Sequence, residues 1–208
     1  MTQDGRLARG NESRRRILER AMATASQDGL EALSIGRLAT DLGVSKSGVF
    51  AHFGSKEELQ AAVIRAAGAV FAREVIAPGL NLPPGLPRLL GLCDGWLDYS
   101  QRRVFPGGCF FYAAGAEFDA RPGRIRDLLA DARRDWLRLC AQTVTDARHL
   151  GELTEAADPV QVAFELDALA CAANSTALLL DEPLAYERAR AGIRDRLRAL
   201  ATRPDSVP

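Results

Sequence analysis

Residues 34–56 read SIGRLATDLGVSKSGVFAHFGSK. Ser34 stands where a helix cap belongs, and a hydroxyl there accepts from the free N–H groups of the first turn. Behind it Ile35, Leu38, Ala39 and Leu42 recur at spacings of three and four, which predicts a short helix with one inward face. Gly43 stops that helix, and Val44 plugs the angle beyond it. Ser45 caps a second short helix over about 46–53. Ser55, with Glu58 three residues on, opens a third in the capping-box pattern. Two short helices joined by LGVS form a helix-turn-helix. The second helix of such a unit lies in the DNA major groove, its N-terminal residues nearest the bases.

The composition of that second helix suits the task. Small residues in SKSG permit close approach. The hydroxyls of Ser45 and Ser47 can bond phosphates or base edges, and Lys46 supplies charge for the backbone or an acceptor base. The helix N-terminus adds partial positive charge and free N–H groups. Ser55 and Lys56 open the next helix, placed to hold the next phosphate. Val49 and Phe53 share a face and are expected to pack on Leu38, Leu42 and Ile17. Lys46 and Lys56 are the only two lysines in the chain, so the pair brackets one groove. His52 either bonds a phosphate or covers the helix end. Arg14, Arg15 and Arg16 either contact backbone or minor groove, or form a solvated face. Short glycine-hinged helices also occur in ordinary bundles. What favours DNA is the conjunction of basic first helix, hinge, small polar cap and capped following helix.

Outward from this segment the pattern stays helical. A first helix is expected over Ser13–Gln27, with Ile17, Ala21 and Ala25 along one stripe. The helix opened by Ser55 runs to about Ile76, before Pro78. The stretch PGLNLPPGLP (78–87) breaks the chain. Helices follow over about 86–103, 109–118 (apolar nearly all round, hence buried), from Pro122 to about His149, 159–180 and 184–201. Pro159 and Pro183 mark helix starts, where a missing N–H costs nothing. No strand alternation or repeat appears. The expectation is an all-α protein of about nine helices: a three-helix DNA-binding domain over 1–56, then a helical bundle over 57–208 for effector binding and dimerisation.

Bulk composition agrees. Of 208 residues, 47% are hydrophobic and 26% charged, ordinary for a globular chain. The formal charge of zero conceals a split: residues 1–56 carry net +3 and residues 57–208 net −3. A basic module facing an anion fits that asymmetry. No apolar run approaches twenty residues and no leader-like segment opens the chain, so neither a membrane span nor export is expected, and a cytoplasmic location is. The four cysteines form no C-x-x-C pair and read as buried thiols, with a redox-sensing role the lesser alternative.

The segment LSIGRLATDLGVSKSGVFAHFGSKEELQAAV, within residues 13–64, resembles the DNA-binding region of the tetracycline-repressor (TetR) family of bacterial regulators. The resemblance implies that Ser34 caps the first helix near a phosphate, that Ser45, Lys46, Ser47 and Gly48 begin the recognition helix, and that Lys56 contacts phosphate. With His52 and Phe50 these are the candidate DNA-binding residues. The chain departs from the family at Phe50, where tyrosine is usual, so a phenolic hydroxyl for phosphate is absent. It also departs at Ala51, usually larger and polar, and at Ser47–Gly48.

Such modules read two half-sites one helical turn apart, so a homodimer is expected. Two stripes on the last two helices, Val162, Leu166 and Leu169, then Ala189, Ile193 and Leu197, are the candidate interface. The alternative is that both helices complete a monomeric core. The effector is expected to be a small apolar or amphipathic molecule, with Trp96, Phe110, Tyr112, Trp136, Cys140 and Asn174 as candidate contacts and Phe111, Phe118 and Phe164 behind them. For each aromatic, core packing is a stronger reading than ligand contact. Asn174 can bond a ligand, backbone or the partner chain. An enzyme is disfavoured: His52 and His149, the only two histidines, lie in no catalytic arrangement, no metal-ligand spacing occurs, and no cofactor is expected. The second reading is a helical interaction or small-ligand-binding protein indifferent to DNA.

Overall fold

A computed structural model describes residues 3–207. The elements are α1 (Gln3–Asp28), α2 (Ile35–Leu42), α3 (Lys46–Phe53), α4 (Lys56–Phe71), a π-helical stretch (Ala72–Ile76), α5 (Ala77–Leu80), α6 (Leu86–Gln101), α7 (Phe110–Phe118), α8 (Arg124–His149), α9 (Pro159–Leu179), α10 (Ala185–Leu200) and a 3-10 turn (Pro204–Ser206). Among the described residues the only β pairing is an isolated bridge, Leu153 to Ala201. The chain is therefore all-α.

Two helices exceed their expected limits. α1 begins at Gln3 rather than Ser13, because a helix once nucleated gains one hydrogen bond for each residue it adds. Arg15 supports it with salt bridges to Glu12 and Glu19. After α4 the chain stays helical through Pro78: Ala77 N–H reaches back five residues to Ala72 C=O, and the proline occupies the first turn of α5.

Contacts divide the chain into two compact units, Met1–Ala69 with Phe105–Ala130, and Val70–Val104 with Asp131–Pro208. Composition along a chain cannot reveal that α7 and the start of α8 return to the amino-terminal helices.

The first unit is built on Ile17, Leu30, Leu33, Leu38, Val49 and Leu59, all essentially inaccessible. Ser34 Oγ accepts from Arg37 N–H and Ser45 Oγ from Gly48 N–H, each at 3.1 Å. Gly43 sits at φ 64°, and the following N–H of Val44 closes on Ala39 C=O at 3.0 Å, so a side chain there would strain the hinge. The capping box is half formed. Ser55 Oγ accepts from Glu58 N–H at 3.1 Å, but the Glu58 carboxylate pairs with Arg124 instead of reaching back.

In the second unit α6, α9 and α10 pack on one another around Leu89, Leu92, Leu97, Leu166, Ile193 and Leu197. A polar knot lies inside: Ser100 Oγ donates to Asn174 Oδ1 at 2.7 Å and lies 2.9 Å from Tyr186 Oη. Such groups are tolerable when buried because they satisfy one another. Arg190 and Arg194 of α10 tie to Asp94 and Asp98 of α6. Glu152 caps α6 from a distance, accepting from Leu86 N–H at 2.7 Å.

Candidate nucleic-acid interface

α2 buries Leu38 and Ala39, and α3 buries Val49 and Phe53. That leaves Ser45, Lys46, Ser47, Gly48, Phe50 and Ala51 exposed, with His52 half-buried beside the Phe53 ring. Seven of the eight candidate DNA-binding residues thus lie on α3 or at the caps of α2 and α3. The eighth, Lys56, opens α4. Its ammonium donates to Glu31 C=O and to Glu31 Oε1, both at 2.6 Å. Lys56 thereby latches the α1–α2 turn, and a phosphate has to compete with that latch. Lys56 and Gln60 hold the Glu31 carboxyl below its ordinary range. Of the three consecutive arginines, Arg14 stacks over the Phe53 ring at 5.1 Å and Arg15 is held by its two glutamates.

The α1–α2 turn is clamped from two further sides, a feature invisible in local sequence. Glu117 of α7 accepts from the N–H groups of Leu30 and Glu31, at 2.6 and 3.0 Å. Gly107 N–H donates to Ser26 Oγ at 3.1 Å. Gln60 Nε2, nearly inaccessible, donates to Leu30 C=O at 3.0 Å. A turn between helices carries amides that no helix ladder satisfies; here α7 and α4 satisfy them and set where α2 and α3 stand. A surface cleft of about 340 Å³ opens nearby, lined by Lys56, Phe118, Arg121 and Arg124 among others. Its Lys56 and Arg124 are paired with Glu31 and Glu58.

The six candidate effector contacts do not fall in one unit. Phe110 and Tyr112 belong to the first; Trp96, Trp136, Cys140 and Asn174 belong to the second. Phe110 is wholly buried between the rings of Phe105 and Phe111. In the second unit Phe71 packs edge-on to both Tyr99 and Trp136, at centroid distances of 5.4 and 5.3 Å. Trp136 Nε1 donates to Asp167 Oδ1 at 3.1 Å, and Arg133 pairs with the other carboxylate oxygen. Asp167 is the charged residue that sequence reading missed. Burial raises its pKa, while Arg133 and Trp136 oppose the rise. An acid raised on folding contributes most below its ordinary pKa, and the contribution is lost as pH climbs through the folded value. Burial likewise pushes Cys93 up to about 12, Cys171 to about 11 and Cys140 well above its usual value. A raised pKa disfavours the thiolate, the nucleophilic form, near neutral pH.

Most of the stripe expected at the dimer interface faces the chain's own interior. Val162, Leu166, Ala189, Ile193 and Leu197 are buried within a single chain, and Leu169 is half-buried. The five buried side chains build the core of the second unit. α9 is apolar on two sides, and periodicity alone does not say which side faces home. The open side carries Val160, Phe164, Ala168, Ala172 and Leu179, Phe164 at 59% and Leu179 at 81% exposure. Phe164, ranked among the secondary pocket candidates, is therefore a surface residue. α9 is also long and apolar enough to cross a membrane, with mean hydropathy 1.3, contrary to the expectation of no such run. Its inner face, however, packs on α6 and α10 and carries Asp167 and Asn174. One such helix does not suggest a membrane protein.

An all-α chain with a capped helix-turn-helix and a separate helical unit defines a DNA-binding transcriptional regulator. Residues 17–63 match the family described as bacterial regulatory proteins, tetR family, and residues 85–193 match the tetracyclin repressor-like C-terminal domain. The chain belongs to the TetR family. A TetR transcriptional regulator from Chloroflexus aurantiacus superposes with a TM-score of 0.86 at 21% identity, covering 93% of this chain and 98% of that one. A transcriptional regulator from Saccharomonospora viridis, solved in complex with choline, gives 0.79 at 23% identity, covering 93% and 100%. AibR, solved with isovaleryl coenzyme A and operator DNA, gives 0.69 at 19% identity, covering 89% and 96%. At such identities the likeness is one of fold. No curated protein sequence matches the chain.

Proposed function

We propose that the protein is a homodimeric, ligand-responsive repressor, located in the cytoplasm, which binds a palindromic operator and is released by a small apolar or amphipathic effector. The observation that carries the DNA half of this reading is the exposed outer face of α3. Its N-terminus is capped by Ser45, and its inner face is closed by Val49 and Phe53. A helix presented this way can enter a major groove without disturbing its own core. That AibR was solved with operator DNA and an acyl coenzyme A, and the Saccharomonospora regulator with choline, supports a two-site reading.

The proposed dimer surface is the open side of α9, Val160, Phe164, Ala168, Ala172 and Leu179, with Leu184 and Ala191 of the α10 region. Small residues alternating with a large ring allow two helices to approach closely. The proposed effector contacts are Trp96, Trp136, Cys140 and Asn174, beside Asp167. Release follows as a population shift: an effector that binds better to one arrangement of the dimer favours it, and heads at the wrong separation no longer fit both half-sites.

Lys46→Ala tests the DNA reading. One phosphate contact per protomer is lost, so the slope of log K against log salt should fall by about one per head. Affinity should drop for operator and random duplex alike. Titrations over a salt series measure both. A variant with an unchanged slope would remove Lys46 from the interface. Indifference of the native protein to every duplex at low salt would favour the interaction-protein reading instead.

A further inference from the structure

The outer face of the recognition helix is unusually poor in groups that read bases by hydrogen bonding. At about 100° per residue, the direction opposite Val49 and Phe53 falls on Ser47 and Ala51, with Phe50 and Gly48 flanking them. Of the side chains that grip purine edges with two bonds, arginine, asparagine and glutamine are absent from Lys46–Phe53, and Lys46, at the first turn beside the backbone-binding helix N-terminus, is the one present. The Ser45 hydroxyl is committed to the cap, accepting from Gly48 N–H, and lies 3.2 Å from Ser47 Oγ. What the face offers in quantity is hydrocarbon: the Phe50 ring, 53% exposed, and the Ala51 methyl. A lone exposed phenylalanine is ordinary on a protein surface. Phe50 differs in its place, on the groove side of the reading helix and one helical turn from Ser47. Having no hydroxyl, it cannot bond a phosphate. The major groove carries one apolar group on its base edges, the 5-methyl of thymine.

We propose that Phe50, with Ala51 beside it, reads thymine 5-methyl groups and makes them the sequence-determining bases of each half-site. This rests on the DNA-binding reading above and adds to it the chemistry of the operator. Lys46 and the helix N-terminus hold phosphates and fix register. Ser47 supplies the remaining polar contact. Specificity then comes from shape and apolar burial.

The test begins with selection of preferred duplexes from a random pool, followed by replacement of each half-site thymine with deoxyuridine, which removes only the methyl. Wild-type protein should lose about fourfold in affinity at one or two thymines per half-site, the worth of one buried methyl-sized group. Phe50→Ala should bind more weakly, keep its salt slope, and lose the deoxyuridine penalty at the thymine that Phe50 covers. Phe50→Tyr keeps the ring and should keep the penalty. Because Phe50 is exposed, both variants should melt like wild type, which thermal unfolding checks. Three results would overturn the proposal: deoxyuridine neutral throughout the half-site, a penalty undiminished in Phe50→Ala, or a reduced salt slope in that variant. Failure to select any duplex would sink the DNA-binding reading itself, and this inference with it.

Discussion

Ile193→Glu should unfold the second unit, whereas Phe164→Glu should leave it folded and convert a dimer to a monomer. Ile193 is 2% exposed, among residues contributed by α6, α9 and α10. A carboxylate there is desolvated without a partner, and such substitutions belong to the small class costing roughly 4–5 kcal/mol. That approaches the whole stability of an ordinary domain, about 5–15 kcal/mol. Phe164 is 59% exposed, so a glutamate there changes the single chain by no more than about 0.5 kcal/mol. In a dimer built on α9, however, it would bury a charge on each side of the contact. Sedimentation velocity and thermal melts of both variants separate the effects. A dimeric Phe164→Glu would move the interface off α9. A monomeric but fully stable Ile193→Glu would restore the interface originally expected from the stripe.

Gly107→Ala is expected to destabilise the first unit by about 3 kcal/mol, near the upper range of overpacking costs. A Cβ built at Gly107 would lie 1.7 Å from Ser26 O and 2.4 Å from Ser26 C. Both are backbone atoms, so no flexible side chain can yield. The added methyl has to push the 105–109 segment away from α1. That breaks the bond from Gly107 N–H to Ser26 Oγ and shifts α7, which carries Glu117. The N–H groups of Leu30 and Glu31 then lose their acceptor; water can replace it at exposed Glu31, whereas the part-buried Leu30 donor left unsatisfied costs about 1–3 kcal/mol. Since both residues act on one turn, Gly107→Ala and Glu117→Ala should be non-additive in a double-mutant cycle. Operator affinity should fall with stability, because the clamped turn leads directly into α2. Wild-type melting of Gly107→Ala would show that the segment gives way freely and that α7 does not position the reading head.

How legible all this was in the chain depended on the range of the interaction concerned. Ser34, Gly43, Ser45 and Ser55 act on residues within five positions, so their caps and hinge could be placed from sequence, and α2 and α3 lie where those residues put them. Glu58 shows the limit: its position suited the capping box, but Arg124, 66 residues on, takes the carboxylate. Asp167 carried no local signal, because Trp136 and Arg133, the partners of its two oxygens, lie more than 30 residues before it. Glu117 and Gly107 carried no local signal, since their partners lie more than 80 residues away.

The order of letters by itself determined the helical periods, the capped reading helix and the family to which its pattern belongs, because each depends on neighbours along the chain. Only the tertiary structure decided which side of α9 faces inward, that α7 clamps the amino-terminal turn, and that the candidate effector contacts fall in two units. The physical reason is that a period shows a helix has an apolar side, whereas burial of that side is settled by whatever distant segment covers it.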